Sequence, residues 1–424
     1  MIVIIAPEID RELCFFPGYY IIFLQTCASV RRDDRTMKWV DLLPIGIALF
    51  LLFSLVSIST SQIFLGLSFL VLVLLILKKK NRLLFPPFFW AAIVYCALSL
   101  VSSFLSVNPE VSLTDSRKLL LFLIIPIVYS GLLKSGDIRR ANTALLFSSI
   151  ISIVFSLVHH FLKAPPGERI QGFMGHYMTQ AGILLLFSAL ALSLFVFTRN
   201  RIRWIWGIAF TLSLPVLVLT STRSAWIGMI FAVAVVLLFF KPKTLILMPA
   251  ALALIVVISP GQVKQRAASI FSLKSFSNAQ RIEYLKAGIR IIREYPWLGT
   301  GPDTVDMVFQ HPKYKLSTEA KQNVHLHNNV IQIAAERGIP ALVAWLAFMG
   351  WVFYSLCRLL PHRDSLLFPL TVAALAAFLA HFTAGLFEYN FADSEVAALF
   401  FYLITVPFAQ HRILNIRDNP SGAS

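Results

Sequence analysis

Val324-His325-Leu326-His327-Asn328-Asn329 stands near the end of a hydrophilic stretch, residues 260–337, in a chain that is otherwise almost all apolar. The same stretch carries Arg281-Ile-Glu-Tyr-Leu285, and Gly338 lies just beyond it. Apolar runs end near Ser259 on one side and begin near Ile339 on the other. A loop longer than about 15 residues inside a compact fold is usually functional. Histidines and arginines gathered in one such loop mark it as the working part of the chain.

Outside this island the composition decides the class. The 424 residues are 58% hydrophobic and 14% charged, where a soluble domain carries about 25% charged residues. Such a chain cannot cover itself with polar surface, so it belongs in a bilayer. The net charge of +16 does not indicate nucleic acid, because the basic residues sit in short clusters between apolar runs of about 17–22 residues, the length of a membrane helix. Cys14, Cys27, Cys96 and Cys357 fit no metal or disulfide frame and read as small apolar residues.

The expected fold is an all-α polytopic membrane protein of about twelve spans. They fall near 41–59, 60–77, 87–106, 119–134, 142–162, 178–198, 203–220, 224–240, 244–259, 338–357, 365–386 and 394–411. With residue 40 inside, the inner loops receive Lys38, Lys78–Lys80, Arg139, Arg140, Arg199, Arg201, Arg203, Arg363 and Arg412 among others. The short outer loops keep only Arg117, Lys118, Lys163, Arg169 and Arg223. The opposite orientation inverts this bias and is rejected. The organisation is then an extension at 1–36, membrane helices at 37–259, an outward loop at 260–337 holding an amphipathic helix, membrane helices at 338–411 and an inner tail at 412–424. In a bacterium that is an inner-membrane protein with its large loop in the periplasm and its termini in the cytoplasm. Met37-Lys38-Trp39 resembles a natural start, so 1–36 reads as an extension; it lacks the basic start and cleavage site of a signal peptide.

Four outward segments hold residues suited to chemistry. The first is the Pro/Gly-rich turn that carries Arg169, which alternatively is a connector with a snorkelling arginine. The second is Thr220-Ser-Thr-Arg223-Ser, where an arginine at membrane depth is a functional candidate, or an interfacial anchor beside Trp226. The third is a helix whose Ile282, Leu285, Ile289 and Ile292 recur at helical spacing. Ser277 and Gln280 match a capping box there, and Arg281 sits in its first turn. The fourth is His325-x-His327-Asn328-Asn329. No third ligand at a recognisable spacing accompanies the histidines, so no metal is expected. An Asn N-cap would put His327 at a helix N-terminus, where the dipole disfavours imidazolium and a neutral ring serves as base. Arginine forks suit phosphate and pyrophosphate. A lipid-linked pyrophosphate would present its headgroup at this depth.

On Arg281-x3-Leu285, His327-x10-Gly338, the Thr-Ser-Thr-Arg223-Ser turn, Tyr295-Pro-Trp-Leu-Gly-Thr-Gly301 and His325-Leu-His-Asn328, the chain resembles the O-antigen ligase family, within the wider group of lipid-linked polysaccharide ligases and polymerases. The resemblance runs from about residue 40 onward and depends on the order of motifs that are individually weak. It implies an inner-membrane enzyme that moves an assembled polysaccharide from undecaprenyl pyrophosphate to the lipid A-core oligosaccharide. It also implies inversion of the anomeric centre without a metal or other cofactor. Carried onto matching positions, Arg281 and Arg223 would bind pyrophosphate and His327 would activate the acceptor hydroxyl. Arg169 matches less well, because Gly175-His176-Tyr177 stands where Asn and Pro are expected. An O-antigen or exopolysaccharide polymerase and a protein O-oligosaccharyltransferase differ only in acceptor. A transporter or flippase of lipid-linked sugars is the competing class, and it predicts charges buried mid-helix.

Overall fold

The computed structural model describes residues 39–163, 165, 167–259, 261–270, 272 and 275–418. The extension at 1–36, with Cys14 and Cys27, lies outside the described residues. So does the tail beyond 418. Cys96 and Cys357 are free and half-buried, in keeping with an apolar role.

The described residues form helices and no strand. In chain order they are α1 (Leu42–Phe53), α2 (Ile58–Leu77), α3 (Phe89–Phe104), α4 (Pro109–Asp115), α5 (Ile124–Gly131), α6 (Ser135–Leu162), α7 (Tyr177–Phe197), α8 (Arg203–Leu219), α9 (Arg223–Phe240), α10 (Met248–Ile258), α11 (Gly261–Ala268), α12 (Phe276–Glu294), α13 (Val305–Phe309), α14 (Asn329–Leu359), α15 (Leu367–Gly385) and α16 (Ser394–Asp418). Seven of these, α2, α6, α7, α9, α14, α15 and α16, are long and apolar enough to cross a membrane. Shorter apolar helices cover 39–53, 89–104, 203–219 and 242–258. The chain is a polytopic membrane protein. The sequence-based count of twelve also needs the shorter helices, and the segment 116–131 of 3-10 and α-helix, to cross.

α15 and α16 are the hub. α15 is alanine-rich, and small side chains let neighbouring backbones approach where no water drives helices together. It packs on α7, α9 and α16; nearly every residue of α15 is buried, as is the stretch 396–410 of α16. α2 lies at the rim, with Leu67, Leu70 and Leu77 exposed, as a hydrocarbon-facing helix requires. α16 continues to Asp418, so Arg412 belongs to the helix and donates to the Leu132 carbonyl at 2.7 Å.

α14 is broken where the sequence places Gly338. Gly338 has φ +80 and Pro340 follows inside the helix. Proline has no N–H, so the Glu336 carbonyl loses its helical partner, and the Ile339 N–H turns away to the Pro296 carbonyl at 2.8 Å. The orphaned Ala335 and Glu336 carbonyls instead accept from Thr300 and Gly301 N–H at 2.9 and 2.8 Å. The Pro-Trp-Leu-Gly-Thr-Gly turn is therefore the partner of the helix break. A Cβ on Gly338 would stand 2.2 Å from the Trp297 carbonyl oxygen, and one on Gly299 (φ +67) 2.2 Å from the Glu336 carbonyl carbon. Serines of α3, α4 and the turn between them fasten the loop from the other side: Ser102 donates to the Leu298 carbonyl at 2.6 Å, Ser106 to that of Thr300 at 2.9 Å and Ser112 to that of Pro302 at 2.7 Å.

The long loop holds α11, α12 and α13 and a small core of its own, built from Tyr284, Ala287, Ile291, Val305, Phe309 and Leu326, which closes on Ala335 of α14. Two details differ from the sequence reading. The helix at 276 has Ser275, not Ser277, at its N-cap, with no side-chain cap bond; Ser277 lies inside the first turn, and its hydroxyl accepts from Arg223 instead. The expected stripe is also split. Ile282, Leu285 and Ile289 are exposed, while Tyr284, Ala287, Gly288 and Ile291 form the packed face. An exposed apolar stripe on a basic helix suits a membrane surface.

Replacing Gly338 with Ala combines left-handed strain with a backbone clash, each costing about 1–3 kcal/mol. Gly338→Ala and Gly299→Ala should each lower the melting temperature in detergent by several degrees. Gly350→Ala, where a Cβ meets nothing within 4 Å, should not lower it.

Candidate functional site

His327, Asn328 and Asn329 attach one after another to the segment joining α15 and α16. Asn328 is the N-cap of α14: its Oδ1 accepts from Ile331 N–H at 3.0 Å, and its Nδ2 donates to the Leu386 carbonyl at 2.7 Å. Asn329 Nδ2 donates to Asn390 Oδ1 at 2.8 Å, and its Oδ1 accepts from Phe391 N–H at 3.2 Å. His327 has φ +52, a left-handed backbone uncommon outside glycine. Its Nδ1 lies 2.8 Å from Glu388 Oε1. The histidine is thus at a helix N-terminus, as the sequence implies, and it also has a buried carboxylate partner that the loop sequence does not contain.

Burial pushes the Glu388 carboxyl up, but His327, the Arg281 charge and the Tyr389 N–H outweigh it and hold it below its ordinary value. Glu388 is therefore ionised at neutral pH. An ionised carboxylate on Nδ1 fixes that nitrogen as the donor, so that the lone pair of a neutral ring is on Nε2. Tyr389, next in sequence, accepts from Arg337 Nη1 at 3.0 Å, and Arg337 pairs with Glu336 at 2.5 Å and with Asp115 at 3.5 Å. This buried cluster joins the helix break to the segment that carries Glu388.

His327 lies in the wall between two cavities. The first, of about 400 Å³, is lined by Arg169, Arg266, Arg281, Tyr177, Tyr284 and His327, with serines of the 269–277 segment. The second, of about 330 Å³, is lined by Lys118, His176, His325, Glu388, Asn390 and Asp393. Tyr177, Met178, Asn323 and His327 border both. Tyr284 packs 5.4 Å from the His327 ring, and its hydroxyl is fixed by Asn323 at 2.6 Å and by the Ala320 carbonyl at 2.9 Å.

The first cavity is strongly cationic. The Arg169 guanidinium lies 4.5 Å from the Tyr177 ring centroid, and Arg266 Nε donates to the Ser221 carbonyl at 3.1 Å. Arg281 has no carboxylate partner among the described residues, though Glu388 acts on it at longer range. Burial, then the charges of Arg169 and Arg281, lower the Arg266 pKa. Burial lowers that of Arg281 also. Like charges held together without carboxylates need an anion to offset them.

Arg223 stands apart. It is buried, and its two terminal nitrogens donate to the Ser269 carbonyl at 2.7 Å, Ser269 Oγ at 3.0 Å, Ser277 Oγ at 2.5 Å and Asn278 Oδ1 at 2.8 Å. It braces the segment that forms one wall of the arginine cavity and does not line that cavity. Leu285 is on the exposed apolar side of α12, and Gly338 forms the helix break. His325 faces the second cavity, 5.2 Å from the Tyr389 ring. Its burial lowers its pKa and keeps the ring neutral. His325 Nδ1 and Glu388 Oε2 are buried without a hydrogen-bond partner. Such an atom costs about 1–3 kcal/mol until something fills the need. Among the described residues no cluster of three or more His, Cys, Asp or Glu is arranged to hold a metal ion.

Sequence reasoning missed Arg266, Glu388, Lys118 and Asp393. A signal existed for two of them: Glu388-Tyr-Asn-Phe-Ala-Asp393 is a polar break between apolar runs. Arg266 offered none, being one of many basic residues in the loop.

The family model described as O-antigen ligase matches residues 208–346. The chain therefore carries this family's domain over that interval, which includes Arg223, Arg266, Arg281, His325, His327 and Gly338. Arg169, Lys118 and Glu388 lie outside it. No curated protein matches the sequence.

Since Arg223 bonds four acceptors on one segment, Arg223→Leu should speed amide hydrogen exchange across residues 269–278 by at least about tenfold, one such bond to a charged group being worth about 1.5–3 kcal/mol. Arg281→Leu should leave that exchange unchanged.

Proposed function

We propose that this protein is a membrane glycosyltransferase that moves an assembled polysaccharide from undecaprenyl pyrophosphate to the lipid A-core oligosaccharide on the periplasmic side of a bacterial inner membrane. The observation that carries this reading is the position of His327 between an arginine-lined cavity and a second polar cavity. A two-substrate transfer needs its base where donor and acceptor meet.

In this reading the donor pyrophosphate lies among Arg169, Arg266 and Arg281. The acceptor hydroxyl arrives from the cavity of Lys118, His325 and Asp393. His327 Nε2 takes the hydroxyl proton as the oxygen attacks the anomeric carbon. The bond from that carbon to the pyrophosphate oxygen breaks on the opposite face, which inverts the centre. The leaving group departs as undecaprenyl pyrophosphate. Its developing charge is met by preorganised guanidinium groups, so no acid has to protonate it. Glu388 stabilises the imidazolium formed and fixes the reactive tautomer. Arg223 acts at one remove, by holding the cavity wall.

The family domain at 208–346 occurs in ligases and polymerases alike. A polymerase or a protein O-oligosaccharyltransferase would use the same arginine cavity and differ in what enters the second one. A transporter reading gains little from the buried Glu336, Arg337 and Asp115, because these charges pair with one another and secure the helix break.

With purified lipid-linked donor and lipid A-core acceptor, His327→Ala should reduce transfer by about 10²–10⁴-fold, the usual weight of a general base. Arg281→Ala should also abolish most turnover, and Glu388→Gln should lose less than His327→Ala. Full transfer by His327→Ala would remove the base. Cells lacking the protein should accumulate full-length polymer on its carrier beside a bare core. Core bearing a single repeat unit would instead identify a polymerase.

A further inference from the structure

A further cavity, of about 690 Å³, lies at the other end of the same helices. α7 begins at Tyr177 beside His327 and ends at Phe197 in this second place. α15 runs the reverse way, from Phe368 here to the segment of Glu388. At 1.5 Å per residue, α7 separates the two sites by about 30 Å, the thickness of a hydrocarbon core. This cavity therefore opens on the opposite membrane face, which the distribution of basic residues makes the inner one.

Its lining is part cationic and part apolar. Arg139, Arg199, Arg203 and Arg363 surround it, from three separate parts of the chain. Trp206 and Phe368, both buried, supply its aromatic floor, with Val196 and the exposed Phe240 beside them. None of the four arginines has a carboxylate partner among the described residues. Arg363 stacks on Phe368 at 4.1 Å and Arg203 on Trp204 at 4.8 Å, contacts that use the flat faces and leave the N–H edges free. The one acid in the lining, Asp364, is already engaged. Its Oδ1 accepts from Leu366 and Leu367 N–H, each at 2.9 Å, and so caps α15. Membrane topology asks for basic residues on this face, but it does not ask that four of them ring one cavity with an aromatic floor.

We propose that this cavity binds the phosphate of an anionic phospholipid headgroup from the inner leaflet, with the guanidinium groups on the phosphate and the aromatic floor under the first part of the acyl chains. Basic pockets between membrane helices on the cytoplasmic side bind such headgroups. The arginine edges supply forked donors for phosphate oxygens. The apolar floor gives a lipid an advantage over a free phosphate ion, which has nothing to place there. The bound lipid would hold the ends of α7, α8 and α15 together without touching the His327 site.

The test uses the full chain, purified in detergent, stripped of lipid and examined by native mass spectrometry and thermal melting. Phosphatidylglycerol should bind and raise the melting temperature, and phosphatidylcholine should do neither. Arg139→Gln/Arg203→Gln should weaken phosphatidylglycerol binding by about tenfold or more, while melting like the wild type when lipid-free. If that pair melts early without lipid, Arg199→Gln/Arg363→Gln decides by the same readout. Undiminished phosphatidylglycerol binding in a stable double variant would overturn the proposal. Equal stabilisation by inorganic phosphate at the same concentration would overturn the lipid assignment.

Discussion

The break in α14 is the constraint on which the rest of the site depends. Gly338 and Pro340 take two N–H groups out of the helix, and the carbonyls left behind are buried and must find partners within the protein. They find them in the Thr300 and Gly301 amides. One backbone exchange thereby fixes the long loop to a membrane helix. It also sets the direction in which the first part of α14 leaves the bundle, and so where His327 stands.

The break also explains the charges beside it. Glu336 and Arg337 sit at its edge, fully buried, and join Asp115 and Tyr389. A buried pair of this kind is weak evidence of stability, but removing one member leaves a bare charge that costs about 3–5 kcal/mol. Through Tyr389 the cluster fixes the segment of Glu388, and Glu388 fixes the ring of His327. The reactive imidazole is thus held from two sides, by its own helix cap and by the α15–α16 connection.

The arginines divide by what they touch. Arg223 and Arg337 spend their donors on the protein and serve as braces. Arg169, Arg266 and Arg281 line one cavity and keep donors free, and burial with mutual repulsion lowers the Arg266 pKa. The opposite end of the same helices repeats the second arrangement with Arg139, Arg199, Arg203 and Arg363 around a larger cavity. The same two helices, α7 and α15, carry one end of each site.

The sequence alone determined the membrane class, the positions of the apolar helices, the long loop and its amphipathic helix, because hydrophobicity and its period are local properties of the chain. It also marked Arg281, His327 and Gly338, and Asn328 as the cap, since caps and glycine breaks are read within a few residues. Only the tertiary structure decided which arginines share a cavity. Arg223 stands out in the sequence for its depth, yet its four acceptors belong to Ser269, Ser277 and Asn278, which nothing local reveals. Ser277 matches a capping box locally, but its hydroxyl bonds the distant Arg223. Glu388 lies 61 positions from His327, and no periodicity links residues that meet only because two helices are packed side by side. Local pattern specifies elements; the pairing of charges follows from packing, and packing is a property of the whole chain.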